Sequence, residues 1–89
     1  MMQQKIQAGE LHGEMRIERT ISVLAKVLGE EKAKSLSEEC LREAGLLDAT
    51  TPQEFLRYGQ SLTRRGGFIE VVGRSVMARA LIAGARLEA

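Results

Sequence analysis

Eighty-nine residues make at most one small domain, and 28% charged with 44% hydrophobic residues is the balance of a globular chain, not of a disordered or fibrous one. A net charge of +1 marks no overall affinity for nucleic acid or other polyanions, and the single cysteine, Cys40, excludes an intrachain disulfide framework and fits a reducing, cytoplasmic compartment. Only Phe55, Tyr58 and Phe68 are aromatic and tryptophan is absent, so the core must be built from Leu, Ile, Val, Met and Ala.

Residues 1–13 lack a sustained hydrophobic period and place Gly9 and Gly13 among Gln and Glu, which reads as an N-terminal arm ahead of one helical domain over 14–89. Lys5, Glu10 and Glu14 interrupt any apolar run there, so a secretory leader is not expected. From about Glu14 the period becomes helical. Ile17, Ile21, Leu24 and Leu28 recur at spacings of four, three and four, Val27 widens the stripe, and Arg16, Arg19, Ser22 and Lys26 stay off it. Gly29 stands just past the last apolar position, where helices commonly stop.

Glu30 and Glu31 suit the first turn of a second helix, because carboxylates there face the positive end of the helix dipole. Ala33, Leu36, Cys40, Leu41, Ala44 and Leu47 form its apolar side, and Gly45 ends it, leaving Leu46 and Leu47 as an anchor in the connection. The first two helices are therefore expected as a tight hairpin. Thr51-Pro52-Gln53-Glu54 is the strongest local signal. Thr51 can cap, Pro52 sits where its missing N–H costs nothing, and Glu54 can reach back to the cap N–H. A third helix follows, with Phe55, Leu56, Tyr58 and Leu62 on its apolar side. Gly59 in mid-helix costs about 1 kcal/mol relative to Ala and points to close approach of a neighbouring helix. Arg64 and Arg65 fit the negative helix end, and Gly66-Gly67 stops it.

The segment from Phe68 to Ala89 admits two readings. Phe68 to Val72 could form a short β-branched strand, but no second strand candidate is evident, and the direct continuation into Ala and Leu favours one long helix. Glu70, Arg74 and Arg79 interrupt the apolar run, so it is not read as membrane-spanning. On a helical wheel the segment carries two apolar seams. Ile69, Val72, Val76, Ala80, Ala83 and Leu87 form one; Val71, Ser75, Ala78, Ile82 and Ala85 form the other. A helix apolar on two faces must be covered twice. The small residues of the second seam permit close helix packing, so it is expected as an interface, either with a copy of the same chain or with another protein, unless the other three helices wrap both sides. A chain of this size buries about 60–65% of its unfolded surface, which makes a thin core for a monomer and adds weight to oligomerisation.

No catalytic, metal or cofactor site is expected. His12 is the only histidine and lies in the arm, Cys40 falls on an apolar helix side without a neighbouring base, and Glu38, Glu39 and Glu43 are surface carboxylates with no Glu-x-x-His pair among them. Arg65-Gly66-Gly67 has neither the spacing of a nucleotide-binding loop nor a Walker lysine. Nucleic-acid binding is the serious rival. Charge is uneven along the chain: residues 1–50 carry seven basic and nine acidic side chains, and 51–89 carry six Arg and three Glu. Residues 37–65 have the order of a helix-turn-helix, although the turn is long and the front of the second helix offers Gln53 and Glu54. Phosphate contact would fall to Arg57, Arg64, Arg65 and Arg74 around the glycine corner; the plainer reading of those side chains is helix-end compensation and local pairing such as Glu70 with Arg74. The expectation is an all-α, four-helix domain, dimeric, acting as a non-catalytic interaction module, with a small DNA- or RNA-binding regulator as the alternative.

Overall fold

The computed structural model describes residues 15–87, so the expected arm at 1–13 and His12 lie outside the described residues. Among those described there are four α-helices and no strand: α1 (Ile17–Leu28), α2 (Glu30–Glu43), α3 (Pro52–Thr63) and α4 (Gly67–Ile82). The all-helical expectation is met, and Phe68 to Val72 is the opening of α4. No helix among the described residues is long and apolar enough to cross a membrane.

One glycine makes each of the two tight corners. Gly29 ends α1 and begins α2, donating its N–H to the Ala25 carbonyl and accepting from Ala33 N. Its φ of 88° and ψ of 159° lie in a region essentially reserved for glycine, and Gly66 repeats the device before α4 with φ 75° and ψ 177°. The chain is thus two helical hairpins, α1–α2 and α3–α4, linked by the 44–51 connection. At the end of α2, Gly45 donates to the Arg42 carbonyl and Leu46 N to the Leu41 carbonyl, the paired bonds of a Schellman stop. Leu46 then packs against the core, but Leu47 is fully exposed, so only the first of the two leucines expected to anchor the connection does so.

At α3 the capping box forms as the sequence predicts. Thr51 Oγ1 accepts from Glu54 N at 3.2 Å, and Glu54 Oε1 accepts from Thr51 N at 3.1 Å and Thr50 N at 2.9 Å. Those N–H groups hold the Glu54 carboxyl below its ordinary value. Stability from a depressed carboxylate is present above the unfolded-state value and is lost as pH falls through the folded-state one. Thr51→Ala is therefore expected to cost about 1 kcal/mol at neutral pH in chemical denaturation. Glu54→Gln is expected to flatten the acid side of the stability profile; an acid limb as steep as that of the wild type would dismiss the assignment.

The core runs through Leu24, Ala33, Cys40, Phe55, Leu56, Tyr58, Leu62 and Ala80. Phe55 and Tyr58 meet edge to face, ring centroids 6.4 Å apart. Along α1 the buried line is Ile17, Thr20 and Leu24, with Ile21 and Leu28 half-buried. Val27, expected to widen that stripe, faces outward. The α3–α4 hairpin is the tightest contact, because Gly59 and Gly73 face each other across it: a β-carbon on Gly73 would lie 2.8 Å from the Gly59 carbonyl oxygen. The close approach expected at Gly59 is present, and its partner is Gly73.

The last helix is shorter than expected. Instead of running to residue 89, α4 stops at Ile82, where Gly84, with φ at 116°, lets Gly84 N bond the Leu81 carbonyl and Ala85 N bond the Ala80 carbonyl. The chain then turns back. Gln53 clamps it to the first turn of α3, donating through Nε2 to the Arg86 carbonyl at 2.9 Å and accepting Arg86 N at 3.0 Å.

Candidate interaction groove

Because α4 turns Val72, Gly73, Val76 and Ala80 onto the rest of the fold, its opposite face is left to solvent. Val71 is 64% and Ile82 81% exposed, and Ser75 and Ala78 are exposed with them. Four of the five residues expected to form the second seam therefore share one uncovered face. Ala85 does not: the chain has left the helix before it, and Ala85 is 8% exposed beside Ala80.

The amino-terminal half of that face opens into a groove of about 300 Å³ between α1 and α4. Val71 and Ser75 line it from α4, together with Phe68, Val72, Val76 and Arg79. Arg19, Thr20 and Val23 line it from α1, Met15 and Arg16 from the residues just before that helix, and the buried ring of Phe55 contributes from α3. Both walls are helical stripes, spaced three and four residues apart. On α4 the stripe is 68, 71, 72, 75, 76 and 79; on α1 it is 19, 20 and 23, with the cap residue Arg16 beside it. Among the described residues, three arginines and no carboxylate border the apolar lining. No described carboxylate forms an ion pair with Arg19 or Arg79.

The α1 wall was not singled out in the sequence. Arg16 and Arg19 read only as residues off the stripe, and Thr20 and Val23 do not continue the Leu/Ile period. The signal that could have found it is the repeat of Arg16, Arg19 and Val23 beside the apolar line, a second face that needed a use.

The arginines considered for phosphate contact are spent differently. Arg57 Nη2 donates to the Ala44 carbonyl at 3.0 Å, where it holds the end of α2. Arg65 Nη2 pairs with Glu43 at 2.7 Å and Glu39 at 3.2 Å, and Arg74 Nη2 pairs with Glu70 at 2.6 Å. Arg64, at the end of α3, is exposed without such a pair among the described residues. Three of the four guanidinium groups thus already face carboxylate or carbonyl oxygen within the fold.

No family model matches this chain, and the comparisons with curated proteins and with solved structures found no match. Function has to be read from the surfaces and interior of the molecule itself.

The interior offers little chemistry. Burial pushes the Cys40 thiol above its ordinary value, an effect partly offset by a hydrogen bond with Ser61 and the charge of Arg65. A thiol held protonated is a poor nucleophile. The Ser61 hydroxyl itself donates to Glu43 Oε1 at 2.7 Å, joining it to the Arg65 pairs. The Ser37 and Tyr58 hydroxyls share a buried hydrogen bond at 2.6 Å. Among the described residues no buried side-chain nitrogen or oxygen lacks a partner, and no group of three His, Cys, Asp or Glu is placed to hold a metal ion.

Proposed function

We propose that this chain is a small non-catalytic helical protein-interaction module, working as a homodimer or as a subunit of a larger complex, with α4 as its contact element. The observation that carries this reading is the uncovered face of Val71, Ser75, Ala78 and Ile82, which runs on into the groove against α1. An apolar helix face that its own fold does not cover gains free energy at about 25 cal/mol per Å² when a second surface excludes water from it. The placement of the arginines supports the same choice over a nucleic-acid regulator, because neutralising phosphate requires guanidinium groups that are not already paired within the fold.

Light scattering of the full chain at two concentrations tests the self-association arm. Mass is expected to rise with concentration for the wild type and to stay at the monomer value for Ile82→Asp. Since Ile82 is 81% exposed in the monomer, the aspartate is expected to leave helicity and melting intact. A monomer at every concentration that binds DNA, with affinity falling steeply in salt and abolished by Arg64→Glu, would overturn the proposal in favour of a regulator.

A further inference from the structure

Resting on the interaction reading above, we propose that the α1–α4 groove receives an acidic amphipathic helix of a partner protein, its apolar stripe seated on Val23, Val71 and Val76 and its carboxylates paired with Arg19 and Arg79.

Two features of the groove select a helix. Its walls are themselves helices, whose backbone N–H and C=O groups are bonded internally, so they offer an incoming segment side chains only. An extended strand laid there would find no backbone partners, whereas a helix brings its own backbone already satisfied and lays an i, i+3, i+4, i+7 stripe between the two walls. The lining of α4 extends from Phe68 to Arg79, which at about 1.5 Å per residue gives a length of about three turns. An occupant of that size has room for three or four anchoring side chains.

Charge selects its flanks. The groove is bordered by guanidinium groups on both sides, Arg19 from α1 and Arg79 from α4, and among the described residues no acidic side chain lines it. No described carboxylate pairs with either one, while Arg65 and Arg74 elsewhere on the surface are paired. An apolar seat between two cations favours a helix with Glu or Asp on both margins of its apolar stripe and repels a basic one. The same charges count against a second copy of this chain in the groove. A twofold interface would set the arginines of one copy against those of the other, with no carboxylate among the described lining residues to separate them.

The test is anisotropy of the full chain with labelled Ala-based peptides of about sixteen residues, long enough to be helical. One carries a Leu stripe with Glu on both margins, one has Lys in place of Glu, and one is the Glu peptide scrambled. The Glu peptide is expected to bind and the other two to bind at least tenfold more weakly. Reversing both charges, in Arg19→Glu/Arg79→Glu, converts two attractions into repulsions; the expected outcome is a loss of about tenfold or more for the Glu peptide and a gain for the Lys peptide. Val71→Asp, at an exposed position, is expected to weaken both.

Equal binding of the scrambled peptide, or indifference to the double reversal, would overturn the inference. So would binding of dodecanoate at one equivalent without any peptide binding, which would make the groove a small-amphiphile site. If peptides bind only after Glu10→Lys/Glu14→Lys, the occupant is the chain's own first residues and the separate partner is ruled out. Light scattering separates this inference from the reading it rests on. Failure of every peptide alongside a dimer that Ile82→Asp dissociates removes the acidic helix and keeps the interaction module; failure of every peptide with a monomer at all concentrations removes both.

Discussion

Replacing Gly73 with alanine is expected to destabilise the fold by about 2 kcal/mol, although the same exchange in an isolated helix would gain about 1 kcal/mol. A β-carbon there would lie 2.8 Å from three atoms of α3, the Gly59 carbonyl oxygen, Leu62 Cβ and Thr63 N. Two of the three are backbone, so no rotamer change relieves them and α3 and α4 must move apart. Forced separation of a packed pair costs about 1–3 kcal/mol, and three simultaneous close contacts put this case at the upper end, which outweighs the gain in helix propensity. For a domain of this size the melting temperature is expected to fall by about 10 °C.

Gly59→Ala is the internal control. Its β-carbon would also meet a 2.8 Å neighbour, but that neighbour is Met77 Cγ, part of a flexible side chain that can swing aside. The contacts that remain, Gly73 O at 3.0 Å and Met77 N at 3.2 Å, call for a shift of only a few tenths of an ångström. The cost is expected to be within about 1 kcal/mol, and the two variants should rank with Gly73→Ala the less stable. Thermal melting of both decides it. A Gly73→Ala protein as stable as the wild type would mean that the two helices do not cross at this pair.

The Gly59–Gly73 crossing also shows where sequence reasoning stops. A glycine in the middle of α3 signals a close neighbour, but which residue supplies it depends on the angle between two helices, and that is set by packing. Signals confined to one turn read correctly, because the chemistry of a cap or a stop is local. Thr51 to Glu54 forms its reciprocal bonds, and Gly29, Gly45 and Gly66 sit where the chain turns. The end of α4 is not legible for a related reason. Gly84 lies among alanines, Ala83 and Ala85, which support a helix as readily as they follow one, and the tail leaves the helix to reach Gln53, far away in sequence. Ala85 shares the second seam only if the helical period continues past Ile82, and there it has already ended.

The groove was the least legible part. Val71 and Ser75 could be placed on an uncovered face by the wheel alone, since that argument needs only α4. Arg19 and Arg79 are separated along the chain and acquire a common meaning only when α1 lies across from α4. The arginines near the glycine corner were noticed because they cluster in sequence, and their carboxylate and carbonyl acceptors lie thirteen or more residues away for Arg57 and Arg65. Proximity along the chain overstated one set of cations and hid the other.

The second large effect is expected at the buried hydroxyl pair between α2 and α3. Tyr58 is the sole tyrosine and is fully buried, Ser37 nearly so, and their 2.6 Å hydrogen bond joins the two hairpins. Ser37→Ala leaves the phenol hydroxyl with no partner, at a cost of about 1–3 kcal/mol. Tyr58→Phe is expected to cost less, about 1 kcal/mol, since a serine within a helix can turn its hydroxyl to the carbonyl four residues earlier. The double variant removes both polar groups, and its loss should fall short of the sum of the two singles. Additive losses in urea denaturation would show that the hydroxyls do not act as a pair.

The same site predicts an alkaline limb. Burial raises Tyr58 from 10.0 to about 12, an effect only partly offset by the bond to Ser37. Between those values the unfolded chain has lost the phenolic proton and the folded chain has kept it, so stability falls as pH rises through that window, by about 3 kcal/mol in all. With no second tyrosine and no tryptophan in the chain, tyrosinate absorbance reports this group alone. The absorbance is expected to appear about two pH units later in the folded protein than in urea, and the stability loss above pH 10 to shrink in Tyr58→Phe to the part that the buried Cys40 thiol contributes. Ionisation at the ordinary value in the folded protein would mean that the phenol is open to water and that α2 and α3 are not joined through it.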